Sequence, residues 1–284
     1  MSVSLDFAPG TGVDRVEPAL KRRVAAHWEA EPCGTRGHGC GDRREFFRAI
    51  EDERYTLEPF IREFAGFGSA SGLRLLEIGV GAGSDYVNWL RAGARAFGVD
   101  LTSAAVQLTR ERCSLEGLMP RLSRTDCESL PFRDGTFDIA YSYGVIHHSP
   151  DTGKAVAEIH RVLKPGGVAK VMIYHAPSIT GLLLWMVHCL LKLRPWRSPR
   201  WAIANFLESP GTKAYSTREA RELFQSFSTV RIRTVLGTGD LLQMRRSEKY
   251  RSVWARLAWR LYPRWAIRKA GGRLGLGLLI EAAK

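Results

Sequence analysis

The residues best suited to chemistry begin in "LLEIGVGAGSD", where Gly79, Gly81 and Gly83 alternate with small side chains. Lacking Cβ atoms, they permit a tight strand-to-helix turn and let a ligand approach the backbone. Read as G-x-G-x-x-G, the third required position is Ser84, so the dinucleotide fingerprint is imperfect. Glu77 precedes the glycines, and Asp100 closes "RAFGVD", where a carboxylate can take both hydroxyls of an unphosphorylated ribose. Asp126 ends "PRLSRTD", where a carboxylate can accept the amino group of an adenine. With no basic cluster in the turn, these acids suit a nucleoside ligand without a phosphate chain. Farther along, "YSYGVIHHSP" sets His147 beside His148. Adjacent imidazoles can exchange a proton near neutrality, ligate a metal or brace a turn. His148, then His147, is the candidate base, and no metal is expected.

These residues need elements to hold them. "LRLLEIG" (73–79), "RAFGVD" (95–100), "PRLSRTD" (120–126), "TFDIAYSYG" (136–144) and "GVAKVMIYH" (167–175) read as strands. Helix-length segments separate them at 83–94, 103–117 and roughly 151–163, the last stopped by "KPGG". Such alternation implies parallel βαβ units and an α/β, doubly wound sheet. A further helix near Ser216 and strands at 229–237 and 275–284 resume the pattern.

"LLEIGVGAGSD", "GVDLT", "TDCESLPF", "FDIAYSYGVIHHSPD" and "EIHRVLKPGG", in that order and spacing, resemble the class I S-adenosylmethionine-dependent methyltransferases, in the ubiquinone/menaquinone-type small-molecule group. The resemblance covers about residues 70–175 and extends loosely to 216–236 and 276–284. It implies a seven-strand Rossmann-like sheet and S-adenosyl-L-methionine as cofactor. It places Glu77 and the three glycines against the methionine half, Asp100 on the ribose and Leu101 against the adenine. Asp126 and the Cys127 backbone would meet the adenine edge, and Ser142, Tyr143 and Gly144 would line the methyl-donor site.

The chain divides, on this reading, into an N-terminal helical lid segment (1–69) and a methyltransferase domain (70–284) with insertions at about 176–214 and 241–273. Trp28, Tyr55 and Phe60 of the lid and Lys213 and Tyr215 of "ESPGTKAYS" are candidates for substrate contact, with core packing the competing role for the aromatics. Cys33, His38 and Cys40 in "PCGTRGHGC" offer soft ligands, but a fourth is not evident and a loop is favoured.

Charge separates the two parts of the chain. Residues 1–175 carry 22 Lys/Arg and 23 Asp/Glu, whereas 176–284 carry 20 and 6, a net +14. Such a field favours phosphate-bearing partners, whether anionic lipid or nucleic acid. In 245–273, Arg256, Arg260, Arg264 and Arg268 recur every four residues and Trp254, Leu257, Leu261 and Trp265 fill another face, with Pro263 dividing the helix. Together with the apolar 179–193, this pattern suits peripheral contact with an anionic membrane. The 15 residues of 179–193 are too few to span a bilayer comfortably. The N-terminus lacks the basic-then-apolar order of a signal peptide, and five cysteines without framework spacing suit a reducing compartment, so the expected location is cytoplasmic. The expected function is methyl transfer to oxygen, carbon or nitrogen of a small, lipophilic acceptor. An RNA or other nucleic-acid methyltransferase and a cofactor-binding scaffold docked on a membrane or partner are the alternatives.

Overall fold

A mixed sheet forms the centre of the molecule, and its strand order is β3-β2-β1-β4-β5-β8-β7. The structure, a computed structural model, describes residues 13–35, 37–39, 41–243, 262–270 and 272–284. In chain order the strands are β1 (Arg74–Ile78), β2 (Arg95–Asp100), β3 (Leu122–Arg124), β4 (Phe137–Tyr143), β5 (Leu163–His175), β6 (Ala214–Tyr215), β7 (Thr229–Val235) and β8 (Gly277–Ala283). β1 to β5 pair in parallel, while β8 runs antiparallel to both β5 and β7. The expected seven-strand path is present, and the two-residue β6 adds an eighth strand beside the end of β5.

The helices are α1 (Val13–Ala30), α2 (Arg43–Leu57) and α3 (Phe60–Ala65) before the sheet, and α4 (Ser84–Arg91), α5 (Ser103–Leu115) and α6 (Thr152–Val162) as crossovers. α7 (Ile179–His188), α8 (Pro199–Phe206), α9 (Thr217–Leu223) and α10 (Arg264–Ala270) follow. Local chemistry marks their starts. Thr102 caps α5 by accepting from Ala105 N–H, Asp151 caps α6 through Lys154 N–H, and Ser216 with Glu219 closes a capping box on α9. Strand β1 is buried along Leu75–Ile78 because helices cover both faces.

Two segments differ from expectation. "KPGG" does not stand outside the sheet: β5 begins at Leu163, pairs with Phe137, and absorbs the Pro and Gly residues in a register shift before Val168. A strand with an irregularity accommodates these residues without ending. The apolar 179–193 is not one element either. α7 stops at His188, a 3-10 turn spans Leu190–Lys192, and Leu193 turns the chain in the left-handed region at φ 56°. Among the described residues no helix is long and apolar enough to cross a membrane. Of the basic insertion, 244–261 and Gly271 lie outside the described residues, including Trp254, Arg256, Leu257, Arg260 and Leu261. α10 starts directly after Pro263 and exposes Trp265.

Among the ties between the segment carrying α7 and α8 and the sheet, one is a single buried carboxylate. Fully buried Asp240 accepts from Thr180 N–H and O–H (2.9 and 2.7 Å), Gly237 N–H (2.9 Å) and Leu276 N–H (2.6 Å). That fixes the start of α7 against the facing ends of β7 and β8.

Candidate active site

The carboxyl ends of β1, β2 and β4 open into one cavity of about 420 Å³. Ligands of open α/β sheets bind beyond the strand ends at this kind of position. The glycine turn forms its floor. Gly79 has φ 84°, and a Cβ there would come within 2.2 Å of Val145 Cγ2, so the turn from β1 is closed to any side chain. Gly81 also has positive φ and turns its amide toward Asp100 Oδ2 (3.2 Å). Gly83, φ 75°, lies behind the cavity against Thr109 and opens α4. Ser84, the residue that breaks the dinucleotide fingerprint, receives a hydrogen bond from the buried Arg112 guanidinium at 3.0 Å.

Three carboxylates stand around the turn. Glu77 is buried, and its Oε2 has no hydrogen-bond partner among the described residues. Burial, with Asp85 nearby, pushes its carboxyl well above the usual range. Asp100 Oδ1 accepts from Thr102 N–H (3.0 Å) and O–H (2.8 Å); burial outweighs these bonds and raises its pKa. Asp126 is held from above, since Lys21 Nζ of α1 donates to Asp126 Oδ2 at 2.6 Å and to Glu128 Oε2 at 2.5 Å. Glu29 of the same helix accepts from Ser103 and Ala104 N–H at the start of α5 (2.9 and 3.1 Å). The first helix therefore lies across the strand ends.

A second layer holds the cavity wall. Asp85 accepts from Arg54 Nε (3.0 Å) and Nη2 (2.5 Å), Tyr55 O–H (2.8 Å) and Tyr141 O–H (2.8 Å). Burial alone would raise the Asp85 carboxyl, but the Arg54 charge and these donors bring it below its ordinary value. Next to it, Tyr143 O–H donates to Glu58 at 2.9 Å, and Arg54 lies 4.9 Å from the Tyr143 ring centre.

The histidine turn, Ile146–His148, closes the far wall. His148 faces the cavity and His147 does not. His147 is fully buried, with neither ring nitrogen hydrogen-bonded among the described residues; its ring lies 4.2 Å from His148 and 4.1 Å from Tyr174, centre to centre. Burial drives its pKa well below the ordinary histidine value, so it stays neutral. His148 Nδ1 meets Ser209 Oγ at 2.8 Å and Thr212 Oγ1 at 3.1 Å, and Nε2 lies 3.2 Å from Glu208 Oε2. The ligand atoms of His147, His148 and Glu208 all lie within 4.8 Å of one another. Trp28 packs edge-on to His148 at 5.3 Å.

Of the sequence candidates, Glu77, Gly79, Gly81, Asp100 and Leu101 line this cavity together. So do Asp126, Cys127, Tyr143, Gly144, His148 and Trp28, and burial pushes the Cys127 thiol up to about 12. Several others do not line it. Ser142 is wholly buried beneath the wall, its Oγ unpartnered among the described residues. Tyr55 faces inward to Asp85 and packs as a core aromatic. Lys213 Nζ donates to the carbonyls of Ser149 and Pro150 (2.9 Å to the latter), and Tyr215 O–H donates to Thr152 Oγ1 at 2.9 Å. Both brace the back of the histidine turn, because β6 pairs with β5 behind it. In the soft-ligand loop, Cys33 and His38 line the cavity, His38 Nε2 lies 2.8 Å from Glu53, and Cys40 lies outside the described residues.

Sequence reasoning missed Lys21, Arg54, Glu58, Asp85, Tyr174 and Glu208. For Glu208 a signal existed: it is one of only 6 acids in the basic residues 176–284. Asp85 closes the "LLEIGVGAGSD" motif, but its partner Arg54, like Lys21, Glu58 and Tyr174, meets the site through contacts far apart in sequence.

Residues 76–171 match a family model described as a methyltransferase domain. The chain is 32% identical to the erythromycin 3''-O-methyltransferase of Saccharopolyspora erythraea, over 59% of this chain and 56% of that protein. It is 30% identical to a ubiquinone biosynthesis O-methyltransferase of Nitrobacter winogradskyi, over 59% of this chain and 62% of that one. The chain thus spans about half the length of the curated relatives it matches. Its fold is similar to that of a SAM-dependent methyltransferase from Aquifex aeolicus, with a TM-score of 0.51 at 15% identity over 85% of this chain and 98% of that one.

Proposed function

We propose that this chain, which belongs to the class I S-adenosylmethionine-dependent methyltransferases through its residues 76–171, transfers a methyl group to a small, lipophilic acceptor. The observation that carries this reading is the single cavity joining the glycine turn and Asp100 to His148, Tyr174 and Glu208. One end offers groups for a nucleoside and an amino acid, and the other is a wall of aromatic and apolar side chains including Trp28, Met172 and Leu276.

The residues fit S-adenosylmethionine. Glu77 Oε2 is a buried acceptor in want of a donor, as an ammonium group would be. The Gly79–Gly81 backbone leaves room where a side chain would intrude. Asp100, already oriented by Gly81 and Thr102, would hold the ribose; Asp126, Leu101 and Cys127 would flank the adenine, and Tyr143 and Gly144 would border the methyl. When bound, the cofactor supplies a sulfonium methyl open to in-line displacement. Orienting the nucleophile then does much of the work, and a well-placed attack gains roughly 7–11 kcal/mol. The two relatives named O-methyltransferases support an oxygen acceptor.

A second reading concerns the acceptor's source. Leu191, Leu193 and Trp196 are 75%, 82% and 73% exposed at one tip, interleaved with Lys192, Arg194 and Arg197. Apolar side chains in that company suit an anionic bilayer surface, and each cation near it adds about 1 kcal/mol. Peripheral membrane contact would draw a lipophilic acceptor toward the cavity. The nucleic-acid alternative is less favoured, because among the described residues seven carboxylates but two cationic side chains, Lys21 and Arg54, line the cavity.

The test is transfer of labelled methyl from S-adenosylmethionine to lipid, aqueous and RNA fractions of the source cells. Label in the lipid fraction is the expected result. Label in RNA would support the alternative enzyme, and cofactor binding with no transfer to any fraction would leave only a scaffold.

A further inference from the structure

Resting on that methyl-transfer reading, we propose that Glu208, and neither histidine, is the catalytic base, and that it takes its proton from a hydroxyl on the acceptor. The assignment follows from how the lone pairs around His148 are spent. His148 Nδ1 faces the Ser209 hydroxyl at 2.8 Å and the Thr212 hydroxyl at 3.1 Å, and its buried Nε2 lies 3.2 Å from Glu208 Oε2. In either tautomer, neither ring nitrogen presents a lone pair to the cavity. His147 has unpaired nitrogens but is fully buried and shut off from the cavity wall.

Glu208 remains. It lines the cavity, and its side chain is 35% accessible, against 6% for that of His148. The Tyr174 hydroxyl on β5 and the His148 imidazole both favour its charged form. A carboxylate has about four acceptor sites, so these neighbours leave room for a partner from the cavity. Burial would raise its pKa, but His148 and Tyr174 lower it below the ordinary glutamate value, and it is ionised at neutral pH. The other titratable groups that bear on it are His27 of α1 and Cys33 in the loop after it, with Glu58 acting on Tyr174.

A depressed carboxylate selects among nucleophiles. It would hold an amine as its ammonium ion, which has no lone pair to give. A hydroxyl keeps its lone pairs while donating its proton to the carboxylate. As the acceptor oxygen forms its bond to the methyl carbon, the carbon–sulfur bond breaks and that electron pair stays on sulfur. The hydroxyl proton passes to Glu208, giving the carboxylic acid, which returns it to solvent through the cavity. The product is a methyl ether. His148 and Tyr174 are positioning residues that aim the carboxylate.

The experiment uses S-adenosylmethionine carrying a ¹³C methyl, a lipid extract of the source cells, and the full chain. The expected product shows the carbon shift of an O-methyl group. Glu208→Gln should lower kcat by about 10²–10⁴-fold, the usual contribution of a positioned base, with calorimetric affinity for S-adenosylmethionine within about twofold of the parent. Glu208→Asp should recover part of the loss, which separates chemistry from folding. His148→Leu removes the imidazole that lowers the Glu208 pKa and should move the acid limb of the kcat–pH profile to higher pH. Parental kcat in Glu208→Gln, or a methyl found on carbon or nitrogen, overturns the proposal. So does activity that chelators abolish and a divalent metal restores, which would make His147, His148 and Glu208 ligands. Absence of any methylated product from the parent chain overturns the methyl-transfer reading itself, and calorimetry on that chain shows whether the cofactor site survives.

Discussion

Lys21 Nζ lies 2.6 Å from Asp126 Oδ2, joining the first helix to the end of the third strand across 105 residues of chain. The carboxylate chosen from sequence for an adenine edge is thus already shared with a cation from the helix above it. Lys21→Met should loosen α1 from the strand ends. A partly buried pair of this kind contributes about 1 kcal/mol, or roughly fivefold. Faster proteolysis within 18–30 and a severalfold weaker affinity for S-adenosylmethionine are expected, and unchanged cleavage rates would show that Glu29 holds the helix unaided.

Asp100 combines two tasks, bracing the Gly81 amide and presenting a carboxylate to the cavity. Asp100→Asn keeps the size and removes the charge. Loss of a charge-assisted hydrogen bond is worth about 1.5–3 kcal/mol, so calorimetry should show affinity for S-adenosylmethionine falling by roughly 10- to 100-fold. Near-normal binding would place the ribose elsewhere.

The Arg54–Asp85 pair should give the protein an acid-sensitive component. The folded pKa of Asp85 is depressed, so its contribution is complete above the unfolded value of 3.8 and fades as pH falls through the folded value. Arg54→Met strands a buried carboxylate and should cost about 3–5 kcal/mol in urea denaturation near neutral pH. The deficit should shrink as pH falls, because burial makes the stranded Asp85 of the variant take up its proton above pH 3.8, whereas the paired carboxyl of the parent does so only below it.

For the exposed tip, Leu191→Ser combined with Trp196→Ser should reduce sedimentation with anionic vesicles while leaving cofactor affinity untouched. High salt should weaken the parent chain's binding too, since part of the attraction is ionic. Equal sedimentation of parent and variant would remove this surface from consideration.

Most of the sheet was legible because its signals are local. Alternating apolar runs, the glycine turn and the acids at strand ends each occupy a few residues, and Glu77, Asp100 and Asp126 all reach one cavity. "KPGG" marked the end of α6 as expected, but the strand expected from residue 167 starts at Leu163, because pairing with Phe137 carries β5 through the Pro and Gly residues. Lys213 and Tyr215 misled for a related reason: the pairing of β6 with β5, set by distant contacts, turns them behind the histidine turn. Arg54 was illegible because nothing near it in sequence says which strand end it will cover, and the isolated acid Glu208 stood out only by charge, without its partner His148 being named.

Three of the cavity's carboxyls, Glu77, Glu58 and Asp100, are pushed upward by burial, so each clings to a proton longer than it would in water. A positively charged guest reverses that preference by favouring their ionised forms. Filling this cavity is therefore an exchange in which a cation enters and protons leave. Affinity for S-adenosylmethionine should climb with pH across their titration, and heats of binding should depend on the buffer that receives those protons.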